Sequence, residues 1–155
     1  MPKIEPKTNV ICSIKPKWVE KIKNGSKTVE IRKQVPNFAD QTVNGNQPRT
    51  WIWYLYESAP VKLITGFFKV GQIFSGTPEE LWKKVKNKCG MTKEQFFKYC
   101  DNPNKTYYGL EIEDLGVWKD DIFDPYKRFP GFKPGQNFRY LNENEVNELL
   151  KFRKG

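Results

Sequence analysis

The run Asn24-Gly25-Ser26-Lys27-Thr28-Val29-Glu30-Ile31-Arg32 joins a glycine helix stop to a strand that carries a lysine, a glutamate and an arginine. Strand alternation places Val29 and Ile31 on one face and Thr28, Glu30 and Arg32 on the other. The apolar pair is expected to look into a core and the charged pair into something wet. A solvated sheet face, or a structural Glu30–Arg32 ion pair, would give the same pattern. The chain contains no histidine. No His-based triad or His metal site exists, and with the three cysteines also discounted as buried thiols any catalysis must use Lys, Asp, Glu, Ser, Thr or Tyr, through metal-independent or carboxylate–metal chemistry.

The rest of the composition bounds the partners. With 155 residues, 37% hydrophobic and 15% aromatic, the chain is expected to be one folded domain with a real core. A formal charge of +9 and a pI near 9.4 favour polyanions, nucleic acid first. Cys12, Cys89 and Cys100 lack metal-ligand spacing and read as buried thiols. No cofactor, metal or membrane partner is expected. With no apolar run of membrane length and no signal-peptide core after Met1, a soluble, cytoplasmic protein is expected.

The elements that must position the charged strand follow along the chain. After a loose leader (1–8), Asn9–Ile14 reads as a strand, and Pro16 opens a helix with Trp18, Val19 and Ile22 inward, stopped by Gly25. Lys15 stands where a Ser or Asp cap is preferred and is unfavourable at a positive helix end, so it is expected to meet an anion or a tertiary salt bridge. The strand Lys27–Lys33 leads to a polar loop, Pro36–Pro48, then an aromatic strand, Arg49–Glu57, and a long strand, Val61–Phe74, with bends or bulges at Gly66 and Gly71. Thr77-Pro78-Glu79-Glu80 starts a helix that Gly90 stops, and Thr92 caps a second one. Lysines 83, 84, 86 and 88 read as a solvated face that can add phosphate attraction. Lys105–Trp118 and Gln136–Leu141 read as strands around an irregular stretch, 120–135, and a last helix follows Asn142. Five or six bent strands with short peripheral helices suggest a mainly β, α+β fold, a small closed or pseudo β-barrel.

Gly25-Ser26-Lys27-Thr28-Val29-Glu30-Ile31-Arg32 resembles the Gly-x-Lys-x-x-Glu-x-Arg pattern of the ASCH domain (activating signal cointegrator homology), of the PUA-like superfamily. Further pieces agree in order: Ser13-Ile14-Lys15-Pro16 with Trp18 resembles the entrance of its first helix, Tyr56-Glu57-Ser58-Ala59-Pro60 the run before its second long strand, and Gln136-Asn137-Phe138-Arg139-Tyr140-Leu141 the closing strand of its bacterial and phage-borne branch. The resemblance implies a PUA-like barrel with a cleft that accepts single-stranded RNA or a nucleotide-like ligand. Motif positions place Lys27, Glu30 and Arg32 there, with Lys15 and Ser58 beside them and Arg139 on the closing strand. Lys and Arg suit phosphate, Arg bidentately, and Glu30 can orient one of them or accept from a base amine. Trp18, Trp53, Tyr56 and Tyr108 are candidates to stack on a base, with a core role as the alternative, which is the stronger expectation for Trp51, Trp53 and Phe67.

Other readings stay open. A compact ASCH branch hydrolyses N4-acetylcytidine with a lysine-activated threonine; Lys27 matches its lysine, but Glu30 occupies the threonine position and its separate glutamate has no clear counterpart. An ASCH-type ribonuclease would need Lys, Glu and Tyr to move protons, with Lys27 and Glu30 as the catalytic candidates. A non-catalytic interaction module of a phage or other mobile element would show a salt-bridged Lys27 and no open basic pocket.

Overall fold

The computed structural model describes residues 7–36, 50–118, 123–135 and 137–154. The elements run β1 (Lys7–Ile14), α1 (Pro16–Lys23), β2 (Val29–Arg32), β3 (Thr50–Glu57), β4 (Leu63–Gly76), α2 (Pro78–Val85), α3 (Lys93–Tyr99), β5 (Tyr107–Val117), α4 (Pro125–Arg128), β6 (Phe138–Tyr140) and α5 (Glu143–Lys154). Residues 1–6 of the expected leader, most of the polar loop, Arg49 and Gln136 lie outside the described residues, whereas Lys7 and Thr8, read as leader, open β1. The strands form one mixed sheet of six in the order β2-β5-β4-β3-β1-β6, with β2 and β6 at its edges. The six strands match the five or six expected. β1 runs parallel to β3, whereas β1–β6, β2–β5 and β3–β4 are antiparallel.

The chain divides into two compact units, one of Met1–Val19, Arg49–Lys69 and Asp114–Gly155, the other of Glu20–Pro48 and Val70–Glu113. In the first, alternate residues of β1 and β3 bury Ile11, Tyr54 and Tyr56 against Ile64, Phe123, Phe129 and Leu149. The expected irregularity near Gly66 is present: the β3–β4 register shifts between Leu55 and Tyr56, leaving Thr65 unmatched. Gly66 is required there because a β-carbon would lie 2.5 Å from the Gly116 carbonyl oxygen. The irregular stretch proves to hold the one-turn helix α4, started by the Asp124 carboxylate, which accepts from Tyr126 N–H at 3.0 Å.

In the second unit Val29 and Ile31 pack with Leu81, Val85, Cys89, Phe96, Cys100 and Tyr107, the core their alternation implied. Capping boxes start both helices as read, Thr77 with Glu80 and Thr92 with Gln95. Helix α2 ends earlier than Gly90, at Val85 with Lys86 as its cap. Beyond it the backbone tightens into a turn in which Lys88 and Cys89 N–H both donate to the Val85 carbonyl, at 2.8 and 3.0 Å, and the carbonyls of Lys88, Cys89 and Gly90 face away from α2 toward Thr28, Val29, Lys27 and Lys21.

Candidate functional site

The charged group of the second unit is built on β2. Gly25, at φ +84°, ends α1 as expected, and Ser26 N–H donates to the Asn24 side chain at 2.9 Å. The chain then docks on residues 88–90. Thr28 and Val29 N–H donate to the Lys88 carbonyl at 2.8 and 3.1 Å. Lys27 Nζ donates to the Cys89 carbonyl at 2.8 Å, and Lys21 Nζ to that of Gly90 at 2.8 Å. Lys27 Nζ also lies 3.4 Å from Glu30 Oε1, which accepts from Ile31 N–H at 3.0 Å. Glu30 Oε2 is buried and has no hydrogen-bond partner.

Burial corrects one expectation. Lys27, Glu30 and Arg32 are only 2%, 5% and 7% exposed, so the charged face of β2 does not look into bulk water. Alternation settles which residues share a face but not what covers it. A buried ion pair gains stability only if its remaining polar atoms are satisfied, and here one carboxylate oxygen is not. The ion pair of Glu30 is with Lys27, three residues before it, rather than the Arg32 pairing considered as an alternative. Arg32 stands directly opposite Tyr108 in the β2–β5 register, which puts both side chains on one face, and Tyr108 is half-buried.

In the first unit, the parallel β1 and β3 end side by side, and Ser58 N–H donates to the Ile14 carbonyl at 3.0 Å. This brings the backbones of Lys15, which is exposed, and Ser58 together. Trp18 is half-buried with the Lys17 ammonium 4.7 Å above its ring. Trp51 and Trp53 are core, and Trp53, packed on Phe68 and Phe138, has no face for a base. Tyr56 is buried, and its hydroxyl shares a hydrogen bond of 2.7 Å with Tyr126. Burial, then the Tyr126 hydroxyl, push the Tyr56 phenol well above its usual range, so it holds its proton at neutral pH. Arg139 is committed: Nη1 and Nη2 donate to the Glu145 carboxylate at 2.9 and 2.7 Å and Nε to the Lys133 carbonyl at 2.6 Å.

Sequence reasoning missed three participants. The Lys88–Gly90 carbonyls carry no side-chain signal. Tyr126, 48% exposed above Phe132 and Tyr56, lies in the stretch read as irregular. Glu57, a buried carboxylate ending β3, was legible only as part of the Tyr56–Pro60 run. Among the described residues no group of three or more His, Cys, Asp or Glu is placed to hold a metal, and no helix is long and apolar enough to cross a membrane.

Comparison with known proteins converges on one family. The model of the ASCH domain matches residues 12–115. A protein of Zymomonas mobilis named "ASCH domain-containing ribonuclease" is 25% identical over 151 residues, covering 97% of this chain and 95% of its own. The crystal structure of a serine-to-alanine variant of the ASCH protein of Zymomonas mobilis superposes with a TM-score of 0.77 at 21% identity, over 96% of this chain and 99% of that one. A second ASCH structure from the same organism gives 0.76 at 19% identity, over 93% and 94%. These structural likenesses establish the shared fold. The chain belongs to the ASCH domain family.

Proposed function

We propose that this chain binds RNA and cleaves it as an ASCH-type ribonuclease. The observation that carries the reading is the end-to-end likeness to a protein named as an ASCH domain-containing ribonuclease. The charge of +9 supports an RNA partner. The proposed contacts are Lys27, Glu30, Arg32 and Tyr108 in the second unit and Lys15, Trp18, Tyr56 and Ser58 in the first. Arg139, held by Glu145, positions β6.

The proposed chemistry uses the substrate's own 2′-hydroxyl. Glu30 Oε2, which has an acceptor to spare, takes the 2′-hydroxyl proton as the 2′-oxygen attacks phosphorus. The 5′-oxygen leaves with the Tyr108 hydroxyl proton, and a 2′,3′-cyclic phosphate forms. Lys27 and Arg32 meet the charge that gathers on the phosphoryl oxygens. Because Lys27 and Glu30 are buried, RNA must displace neighbouring side chains to reach them.

The test is binding and integrity of a labelled single-stranded RNA and its DNA equivalent at two salt concentrations, with Lys27→Ala and Arg32→Ala beside wild type. The reading expects salt-sensitive RNA binding weakened by both substitutions, and cleavage of RNA alone. RNA that stays intact and unbound at low salt contradicts it. A second reading, a non-catalytic interaction module, is favoured by one observation, the burial and pairing of Lys27 with Glu30. It predicts folded protein with no RNA cleavage at any salt.

A further inference from the structure

Helices α2 and α3 and the turn after them enclose a groove of about 560 Å³ within the second unit. Trp82 and Phe97, both half-buried, line it together with Pro78, Cys100 and Pro103, with Lys83 and Lys93 and the carboxylates of Glu79 and Asp101 around them. The rings are held from behind. Phe96 is fully buried and packs 5.0 Å from Trp82 and 5.3 Å from Phe97, and Trp82 and Phe97 lie 6.0 Å apart at 58°. Two tilted rings this close leave no slot between them, so a flat ligand stacks on one of them rather than between both. The helix starts are fixed by their capping boxes, which also occupy Glu80 through Thr77 N–H and hydroxyl at 3.0 and 2.8 Å. Between Thr77 and Lys105 there are seven lysines against four carboxylates.

We infer that this groove binds one nucleotide of a single-stranded RNA, its base on the Trp82–Phe97 surface and its phosphate on Lys83 and Lys93. The ligand class rests on the proposed RNA-directed function. The mixed charge selects among occupants. An acidic peptide would satisfy the lysines but would set its own carboxylates against Glu79 and Asp101. A nucleotide carries an anion at one end and N–H donors on the base at the other, which suits both signs. Glu79 further favours guanine, whose N1–H and exocyclic amine lie side by side and match its two carboxylate oxygens, whereas Asp101 Oδ1 already accepts from the Tyr107 hydroxyl at 3.5 Å. Uracil's single N–H is flanked by two carbonyls that a carboxylate repels. Stacking supplies the sequence-tolerant part of the attraction.

Calorimetric titration of the whole chain with guanosine and uridine 5′-monophosphates, and with an acidic peptide, tests this. Trp82→Leu and the exposed pair Lys83→Gln/Lys93→Gln are compared with wild type, with thermal melting to confirm folding. The inference expects guanosine monophosphate to bind roughly tenfold more tightly than the uridine nucleotide, with roughly a tenfold loss in Trp82→Leu. It expects the lysine pair, which shares one phosphate, to lower the salt slope of single-stranded RNA binding by about 0.7, and this arm stands even if Trp82→Leu does not fold. Nucleotide affinity and salt slope unchanged in the lysine pair, or tighter binding of the acidic peptide, overturns it. Overturned here with RNA still cleaved, the groove inference fails alone; groove binding intact with RNA never cleaved, the ribonuclease reading fails alone.

Discussion

A β-carbon on Gly90 would lie 2.9 Å from Cβ of Lys27. The two residues are distant in sequence, yet this close approach lets the neighbouring Cys89 carbonyl reach the Lys27 ammonium at 2.8 Å. Gly90 also sits at φ +67°, where a side chain is disfavoured by roughly 1–2 kcal/mol. Gly90→Ala is therefore expected to cost about 1–3 kcal/mol in urea unfolding and, under the proposed ribonuclease function, to lower RNA cleavage. A fully stable, fully active Gly90→Ala protein would show that the docking of residues 88–90 on Lys27 is dispensable.

The Lys27–Glu30 pair should behave as a unit. Lys27→Met leaves Glu30 buried without its cation and is expected to cost roughly 3–5 kcal/mol. Adding Glu30→Met removes the stranded carboxylate, so the double variant should be more stable than Lys27→Met alone. A double-mutant cycle by denaturant titration measures this coupling. Simple additivity would mean that the two charges do not depend on each other.

Glu145 predicts a loss of stability in acid. Burial pushes its carboxyl up, but the Arg139 hydrogen bonds and the Asn142 N–H outweigh this and hold it below the usual carboxylate range. A folded value below the unfolded one contributes stability above the unfolded pKa, and that stability drains away as pH falls through the folded value. Melting temperature should thus drop on acidification. Glu145→Gln should start roughly 1–3 kcal/mol lower near pH 7 and show a shallower acid limb, because one charge-assisted acceptor is gone. An unchanged acid limb would count against this assignment.

Tyr56 predicts the opposite sign in alkali. Burial, followed by the Tyr126 hydrogen bond, raises its folded pKa above the ordinary tyrosine value of 10.0. Stability from this group is complete below that unfolded value and is lost as pH rises past it, since the unfolded chain sheds the proton first. Stability of the wild type should decline above about pH 10, and Tyr56→Phe should flatten part of that decline. The exposed Tyr126 hydroxyl can turn to water, so the substitution is expected to cost only about 0.5–1.5 kcal/mol near neutral pH. A decline of equal steepness in both proteins would locate the alkaline transition elsewhere.

Legibility in the sequence followed the range of the physics. Local rules served well: Gly25 ends α1, Thr77 and Thr92 form capping boxes, and Gly66 marks the irregular β3–β4 pairing. Val29 and Ile31 reach the core because period-two alternation is a local property. The ordered motif pieces were enough to place the chain in its family. What failed to show was non-local. Nothing around Lys27 signals that a carbonyl 62 residues away will hold its ammonium, or that the charged face of β2 will be covered. Arg139 was a plausible ligand contact by motif, and only the fold reveals that Glu145 already holds both ends of its guanidinium. Tyr126 gave no periodic signal because α4 is a single turn.

In the proposed reaction Glu30 takes the proton from an RNA 2′-hydroxyl. The most direct measurement is the end chemistry and rate of cleavage of a short single-stranded RNA by wild type and by Glu30→Gln, with a substrate lacking the 2′-hydroxyl at the cleavage site alongside. The account predicts 2′,3′-cyclic phosphate ends from wild type, no cut at the modified position, and a rate at least about a hundredfold lower in a folded Glu30→Gln protein. Undiminished cleavage by Glu30→Gln, or cutting where the 2′-hydroxyl is missing, would contradict it.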